Sequence, residues 1–178
     1  MVELPDPVDI IFLDMDGVLC DFHTAVAALW GLDPAAIDDA KWAEIGEWGI
    51  SVPMPDFWDR IEAEGRAWWE GLEKLPWTDE LFDACADRAD RVAILTSPAP
   101  FAACHEGKRA WIRDKFGRAD VVITSAKSLC AGPGRVLIDD RTKYAEGWNA
   151  AGGTFVPLRR PWTGAGPTAG ELLDALRR

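Results

Sequence analysis

Cysteine, histidine and tyrosine are scarce in this 178-residue sequence, which contains four cysteines, two histidines and one tyrosine. The cysteines lie far apart and form neither a CxxC pair nor a zinc-type spacing: Cys20, Cys85, Cys104 and Cys130. His23 and His105 are equally isolated. Neither a disulfide framework nor a transition-metal site is therefore indicated, and reduced thiols in a cytoplasmic protein fit the composition best.

Basic residues are too few to balance the acidic ones, because 19 lysines and arginines stand against 30 aspartates and glutamates. The formal net charge of -11 disfavours nucleic-acid polymers and anionic membranes as partners, since both carry negative charge. A small anionic substrate is compatible with this charge only if a metal ion, lysines or a helix N-terminus supply a local positive site.

Long apolar segments are absent as well. No apolar run approaches the length that spans a membrane, and the opening residues MVELPD lack the basic start and apolar stretch of a signal peptide. We therefore expect a cytoplasmic protein. The oligomeric state has no signal in the sequence, so a homodimer is left open.

What the sequence does contain is a regular alternation of apolar runs and helical patterns. Five apolar runs predict buried strands: 8–13, 91–95, 120–123, 135–138 and, more weakly, 154–156. Four helical patterns follow them, the first with Thr78 as its N-cap: 78–90, 105–116, 143–151 and 168–178. This alternation predicts an α/β fold with a doubly wound, mainly parallel five-stranded sheet.

The segment between the first two strands departs from this alternation. Glycine and proline break it into short helical pieces, which predicts a helical cap of residues 21–76 inserted into a core of residues 1–20 and 77–178. Most of its tryptophans should pack between the small helices, while one or two could face the site and stack on a planar ligand. The cap tryptophans are Trp30, Trp42, Trp48, Trp58, Trp68 and Trp69.

Polar residues follow each apolar run, and the carboxyl ends of parallel strands meet at one crevice. The first run ends in Asp14 and Asp16, followed by Gly17, where the backbone can turn sharply. Two such carboxylates could supply a nucleophile for phosphorus and an acid that protonates the leaving oxygen and then activates water. They could equally be structural caps of the next segment.

A second aspartate pair, Asp139 and Asp140, ends another apolar run. Four carboxylates at one edge of a sheet need a cation to balance their charge. Oxygen ligands without histidine or cysteine favour Mg²⁺, which also bridges carboxylates to a phosphate. The two pairs together therefore predict a magnesium site.

Groups that could hold a phosphate follow two further runs. Thr96 and Ser97 offer hydroxyl and backbone N–H donors, and Lys127 could reach the same phosphate as a point charge. The alternative interpretations are a turn or helix cap for the hydroxyl residues and a solvated surface side chain for the lysine.

In chain order, the segments DMDGV and LTS, the lysine at 127 and the segment LIDD resemble the four ordered motifs of the haloacid dehalogenase superfamily. The resemblance spans the chain and implies a haloacid dehalogenase-like, Rossmann-like core with Mg²⁺-dependent phosphatase activity. It implies Asp14 as the nucleophile and Asp16 as the general acid and base. It also implies that Thr96 and Ser97 bind phosphate and that Lys127 stabilises its charge.

The same resemblance implies the ligands of the metal ion. Asp139 becomes a Mg²⁺ ligand, and Asp140 becomes either a further ligand or a carboxylate that supports one. Asp14 joins them in the first motif, and Asp16 is expected to turn its backbone carbonyl toward the metal.

Longer segments are similar to the 5′(3′)-deoxyribonucleotidase branch of that superfamily: DMDGVLCDF, LTSP, KRAW, KFG and LIDDR. The similarity implies that Phe22 packs on the nucleobase. Phe57 and Trp58 are similar to a Phe-Trp pair in the cap of that branch, which makes Trp58 a candidate substrate contact. Lys108 competes with Lys127 for the phosphate, and we expect Lys108 to lie on the substrate side.

The expected function is hydrolysis of a small phosphomonoester, specifically a (deoxy)nucleoside monophosphate, through an aspartyl phosphate with Mg²⁺ as cofactor. One alternative is a haloacid dehalogenase phosphatase for another small phosphorylated metabolite, since the cap sets specificity and is the least matched region. A second is a non-catalytic nucleotide-binding module. A third is a partner-binding protein that uses its tryptophan-rich segment.

Overall fold

A five-stranded sheet lies at the centre of the structure, a computed structural model that describes residues 4–34, 53–117, 119–161 and 163–178. The strands are β1 (Ile10–Leu13), β2 (Arg91–Thr96), β3 (Asp120–Ile123), β4 (Arg135–Asp139) and β5 (Thr154–Pro157). Their order across the sheet is β3-β2-β1-β4-β5, and every neighbouring pair is parallel. This arrangement confirms the predicted α/β fold with a doubly wound sheet.

Helices flank the sheet and connect its strands. The α-helices of the described residues are α1 (Phe22–Leu29), α2 (Met54–Glu70), α3 (Thr78–Arg88), α4 (Ala102–Phe116), α5 (Ala145–Ala150) and α6 (Ala169–Leu176). Short 3-10 helices cover Lys127–Cys130 and Thr142–Tyr144. No helix in the described ranges is long and apolar enough to cross a membrane.

The central strand β1 buries side chains on both faces of the sheet. Ile11 and Leu13 belong to the larger cluster of buried apolar side chains, whereas Phe12 packs in a smaller cluster with Trp148. The ring centroids of Phe12 and Trp148 are 5.6 Å apart in an edge-to-face arrangement. Because both faces are covered, the strand is apolar along its whole length, and polar residues begin only where it ends.

Strand β3 has its predicted bounds, and the boundaries of the other four strands differ from the predicted ones by one or two residues. β1 begins at Ile10 because the backbone N–H groups of Asp9 and Ile10 both donate to the Gly134 carbonyl, at 2.8 and 3.3 Å, which interrupts the regular ladder. β2, β4 and β5 each run one residue further than predicted. Thr96 and Asp139 therefore lie inside the paired sheet rather than beyond it.

The predicted N-cap of helix α3 is wrong. Thr78 is the first residue of the helix, and the cap position belongs to Trp77. The Thr78 hydroxyl donates instead to the Leu19 carbonyl at 2.6 Å, a buried contact between residues distant in the sequence. Thr78 thus ties helix α3 to the loop that follows β1, which a local capping rule could not indicate.

The other helices also shift at their ends. Helix α4 begins at Ala102, three residues before the predicted start, directly after Pro100 and Phe101. The predicted helix 143–151 divides into the 3-10 turn Thr142–Tyr144 and helix α5. Helix α6 has Thr168 as its N-cap, in a capping box with Glu171.

Helices α1 and α2 belong to the predicted cap, and α2 packs against α4 of the core. The contact is close at Gly107, where an added Cβ would lie 2.4 Å from the Trp69 Cβ and 2.9 Å from the Arg66 carbonyl oxygen. Glycine therefore allows the approach that carries Trp69 to the edge of the sheet. Trp42 and Trp48 lie outside the described residues, and the division into core and cap stays a prediction.

Candidate active site

The loop after β1 brings two aspartate-bearing segments into contact. The Asp14 N–H donates to the Ile138 carbonyl at 3.0 Å, and the Leu19 and Cys20 N–H groups both donate to the Met15 carbonyl at 2.9 Å, which closes a tight turn. Gly17 adopts a φ of +78° within it, and an added Cβ would lie 2.3 Å from Oδ2 of Asp140. A side chain at position 17 would therefore push Asp140 away.

Lys127 lies between two buried carboxylates. Its Nζ donates to Oδ1 of Asp14 at 2.7 Å and to Oδ2 of Asp139 at 2.6 Å, and its side chain is 1% exposed. Burial alone would lower the pKa of Lys127, but the two carboxylates outweigh it and raise the pKa above its ordinary value. The ammonium is therefore charged, and it holds the ends of β1 and β4 together.

Asp139 is buried at the end of β4. Burial and the like charge of Asp14 raise its pKa to about 6, although Lys127 and a hydrogen bond from the Arg141 N–H, at 2.8 Å, act in the opposite direction. The carboxylate form thus pays a penalty for burial that a bound cation would relieve.

Three buried carboxylates form a cluster that fits a metal ion. Oxygen atoms of Asp14, Asp139 and Asp140 lie within 4.8 Å of one another. Lys127 contacts two of them, Asp14 and Asp139. Such a group of carboxylate oxygens suits a divalent cation, and Mg²⁺ is the ion predicted from the sequence. The Asp16 side chain contacts Lys108, and the expected turn of its backbone carbonyl toward the metal stays a prediction.

Lys108 reaches the site from helix α4. Its buried Nζ lies 2.5 Å from Oδ2 of Asp16, and it donates to Oγ1 of Thr96 and to the Ser97 carbonyl, each at 2.8 Å. The Trp69 ring lies 5.2 Å from the ammonium. Burial acts to lower the pKa of Lys108, but the Asp16 carboxylate together with the nearby Cys104 and Asp14 outweighs it and raises the pKa. The two lysines therefore form ion pairs with different aspartates of the first motif, Lys127 with Asp14 and Lys108 with Asp16.

The hydroxyl residues at the end of β2 have separate surroundings. Thr96 is fully buried, and its hydroxyl accepts from Lys108. Ser97 is half-buried, lines the cavity, and shares a hydrogen bond of 2.7 Å with the Tyr144 hydroxyl. Of the two residues, Ser97 lines the cavity and Thr96 does not, and phosphate binding by either residue stays a prediction.

A cavity of about 160 Å³ opens above these groups, and aromatic side chains of the predicted cap form part of its wall. Trp58 and Trp69 line it, as does Phe22. Phe22 is 2% exposed and stacks on Trp69 with ring centroids 5.8 Å apart. Of these side chains, the half-buried Trp58 offers more surface to a ligand than Phe22 does.

The structure also brings residues to the cavity that were not predicted there. These are His23, Trp69, Pro98, Ala99, Ser125, Arg141, Lys143 and Tyr144. Tyr144 is the one tyrosine of the sequence and follows Asp140 by four residues, a position that could have drawn attention to it. The position of the Tyr144 side chain depends on the 3-10 turn Thr142–Tyr144 after β4, where a single helix over 143–151 was predicted.

One known protein family matches this chain over most of its length. The family described as 5′ nucleotidase, deoxy (pyrimidine), cytosolic type C protein (NT5C) matches residues 8–158. All of the strands and every side chain of the site described above lie within that range. A search of curated proteins finds no match.

Solved structures of hydrolases share the fold. A HAD family hydrolase from Deinococcus radiodurans R1 with bound phosphate and sodium is 20% identical, with 97% of this chain and 89% of that chain covered and a TM-score of 0.51. A HAD-superfamily hydrolase from Geobacter sulfurreducens is 15% identical, with 99% and 100% covered and a TM-score of 0.58. A HAD hydrolase from Bacillus subtilis bound to magnesium is 12% identical, with 86% and 87% covered and a TM-score of 0.56.

Proposed function

The chain belongs to the 5′ nucleotidase, deoxy (pyrimidine), cytosolic type C family and is a phosphatase, and we propose that it releases phosphate from (deoxy)nucleoside monophosphates with Mg²⁺. The observation that carries this proposal is the contact of Lys127 with Asp14 and Asp139, at 2.7 and 2.6 Å. It joins a carboxylate that could attack phosphorus, a fixed positive charge and a carboxylate that could hold a cation. Phosphoryl transfer depends mainly on such positioning and charge stabilisation.

In the first step we assign the attack to Asp14. One of its oxygens bonds to phosphorus while the ester P–O bond breaks, and the leaving nucleoside oxygen takes a proton from Asp16. Lys127 fixes Oδ1 of Asp14 and offsets negative charge beside it. Lys108 fixes Oδ2 of Asp16, so Oδ1 is the oxygen that would carry the proton and give it to the leaving group.

In the second step a water molecule attacks the phosphorus of the aspartyl phosphate. Asp16 takes the proton of that water, the bond between phosphorus and the Asp14 oxygen breaks, and phosphate leaves with both aspartates restored. Asp14, Asp139 and Asp140 would hold the Mg²⁺ ion, which when bound neutralises charge on the phosphoryl oxygens.

The aromatic wall supports a nucleotide as substrate. Trp58 and Phe22 line the cavity on the side of the predicted cap, where the planar base of a nucleotide could stack. The family description names deoxy and pyrimidine nucleotidases, which agrees with such a substrate. The remaining alternative is another small phosphorylated metabolite, bound by the same phosphate groups without use of Trp58.

Hydrolysis of a substrate panel tests the activity. We expect phosphate release from nucleoside 5′- and 3′-monophosphates with Mg²⁺, and slower release from ribose 5-phosphate and phosphoserine. Asp14→Asn should abolish turnover without loss of folding, whereas Asp87→Asn, at an exposed position of helix α3, should retain it. Full turnover by Asp14→Asn would overturn the mechanism, and equal rates for all members of the panel would remove the nucleotide as the substrate.

A cap tryptophan tests base recognition separately. Trp58→Leu should raise the KM for nucleoside monophosphates about tenfold, the scale of one base–aromatic stacking contact, and leave the KM for ribose 5-phosphate unchanged. Trp30→Leu is the matched control, because Trp30 is a half-buried cap tryptophan that stacks on Phe57 rather than on the cavity. A rise in KM for both substrates would indicate a general disturbance of the cap.

The proposal also covers the domain division, the location and the partners of the chain. Residues 21–76 would act as the specificity-setting cap of a core formed by residues 1–20 and 77–178. A cytoplasmic location agrees with the cytosolic family description and with four free cysteines. The partner would be a small phosphomonoester rather than a nucleic-acid polymer or membrane, and a homodimer would be seen by analytical ultracentrifugation.

A further inference from the structure

Tyr144 contacts two groups of the site at once. Its hydroxyl lies 2.7 Å from Oγ of Ser97, and its ring centroid lies 4.7 Å from Nζ of Lys127. The side chain is half-buried and lines the cavity. Tyr144 therefore joins the end of β2 to the lysine that contacts Asp14 and Asp139.

The ring contact adds a third constraint to Lys127. Two carboxylates attract the ammonium along its N–H bonds, and the aromatic face attracts it electrostatically within the distance typical of a cation–π contact. A lysine side chain has several rotatable bonds, so a bulky wall also limits the positions its ammonium can take. The Lys143 ammonium lies 5.0 Å from the same ring, so a second ammonium lies beside the ring.

The hydroxyl contact determines what the Ser97 hydroxyl can do. Ser97 Oγ donates to the Thr124 carbonyl at 3.4 Å, a long contact for a hydroxyl donor, and lies 2.7 Å from the Tyr144 hydroxyl, which can donate to it. When the Tyr144 O–H donates to Ser97, it holds Oγ beside the cavity, and the Ser97 proton can turn from the distant Thr124 carbonyl to a closer acceptor there, such as a phosphoryl oxygen. Without the tyrosine hydroxyl, Ser97 can move closer to the Thr124 carbonyl and keep its proton there.

We propose that Tyr144 is a positioning residue of the phosphate site, whose hydroxyl orients Ser97 toward the phosphoryl group and whose ring holds Lys127 in place. The proposal rests on the proposed phosphatase function, because it assigns the phosphate to the space beside Ser97 and Lys127. The two parts of the side chain have different tasks, so they can be separated by substitution.

Tyr144→Phe removes the hydroxyl and keeps the ring. We expect a rise in the KM for a nucleoside monophosphate, and in the Kd for inorganic phosphate, of about threefold to tenfold, the scale of one hydrogen bond, with kcat changed less than twofold. Tyr144→Leu removes the ring as well, and kcat should then also fall, by about threefold to thirtyfold, the scale of a desolvated cation–π contact.

A double-mutant cycle with Ser97→Ala separates this role from a structural one. If Tyr144 acts through Ser97, adding Tyr144→Phe to Ser97→Ala should give no further rise in the KM or in the phosphate Kd. Phosphate binding is followed by tryptophan fluorescence, since Trp58 and Trp69 line the same cavity. Phe155→Leu is the control, because Phe155 packs in the same small apolar cluster as Tyr144 and should leave both constants unchanged.

The outcomes distinguish this inference from the proposed function. A wild-type chain that neither binds phosphate nor hydrolyses a phosphomonoester would overturn both. A wild-type chain that does so, with additive effects of Tyr144→Phe and Ser97→Ala, would overturn the role of Tyr144 alone. Equal changes from Tyr144→Leu and Phe155→Leu in kcat, KM and melting temperature would also overturn the positioning role, because they would show that Tyr144 contributes only packing.

Discussion

Lys108 and Asp16 form an ion pair in which Nζ and Oδ2 are 2.5 Å apart, although the two residues are 92 positions apart in the sequence. The lysine is buried, whereas the aspartate side chain is 24% exposed and faces the cavity. The same ammonium donates to Thr96 and Ser97. Helix α4 thereby fixes both the loop after β1 and the end of β2, so a residue outside the four sequence motifs orients a residue inside one of them.

Replacement of Lys108 by methionine should impair catalysis more than folding. Methionine keeps much of the buried volume but removes the donor that orients Asp16, and misplacement of a reacting group by about 1 Å can lower the rate roughly 100-fold. We therefore expect kcat for a phosphomonoester to fall about 100-fold in Lys108→Met, with a smaller loss of folding stability because water can still solvate Asp16.

Lys115→Met on the same helix is the control, because Lys115 is at the surface and does not line the cavity. Steady-state kinetics and urea unfolding of both variants provide the measurements. A kcat for Lys108→Met equal to that of the control would show that Asp16 needs no support from helix α4.

Gly17 should tolerate no side chain, for a reason beyond its backbone conformation. Gly17 and Gly31 both have positive φ, +78° and +67°, so alanine should cost on the order of 1 kcal/mol of folding free energy at either position. At Gly17 alone, the new Cβ would collide with the Asp140 carboxylate. Gly17→Ala should therefore also lose phosphatase activity and Mg²⁺ binding, whereas Gly31→Ala should keep both.

Thermal unfolding, Mg²⁺ titration and kinetics of these two variants give the comparison. Equal loss of activity in both would mean that backbone strain, rather than displacement of Asp140, explains the effect at Gly17.

The strand-end residues of the site could be predicted because one rule covers them all. Asp14, Thr96 and Asp139 each stand at the carboxyl end of an apolar run, and parallel strands bring those ends to one edge whatever the details of packing. Lys127 follows β3 by four residues, which is too short a distance for it to leave that edge. Sequence order and alternation were sufficient to place these residues at one edge of the sheet, whereas their roles came from the resemblance to the superfamily motifs.

The partners of Lys108 and the role of Tyr144 could not be predicted in the same way. Lys108 lies on a helix, and the direction of its side chain depends on how α2 and α4 pack at Gly107, a contact between segments 38 positions apart at Trp69 and Gly107. Tyr144 faces the cavity because a 3-10 turn precedes helix α5. Thr78 was misassigned for a similar reason, since its hydroxyl bonds to a distant carbonyl rather than to its own helix.

The four cysteines should differ in reactivity in the folded chain. Cys20, Cys85 and Cys104 are buried, and burial raises the pKa of each thiol, helped at Cys20 by the nearby Asp16 carboxylate. Cys130 is half-buried. Because the thiolate is the reactive form, a disulfide reagent at pH 8 should modify about one thiol rapidly in the native protein and about four after denaturation.

Cys130→Ser should remove the rapid phase and leave phosphatase activity intact, since Cys130 does not line the cavity. Rapid modification of more than one thiol in the native state, or persistence of the rapid phase in Cys130→Ser, would contradict the burial of the other three.

The affinity for Mg²⁺ should fall as the pH is lowered below about 6. In the metal-free chain, burial and the charge of Asp14 raise the pKa of Asp139 from 3.8 to about 6. The folded state then binds this proton more tightly than the unfolded chain does, so the group's contribution to stability is present below pH 3.8 and is lost as the pH rises through 6. Mg²⁺ needs the carboxylate and must displace the proton at low pH. Its affinity should therefore be constant above pH 7 and fall up to about tenfold per pH unit below 6.

Calorimetric titrations at pH 5, 6, 7 and 8 measure the affinity, and buffers of different ionisation enthalpy measure the proton released at pH 5. Asp139→Asn should bind Mg²⁺ weakly at every pH, because an amide supplies no negative charge to the cluster. An affinity of the wild-type chain that stays constant from pH 5 to pH 8 would show that Asp139 is not a ligand whose proton the ion displaces.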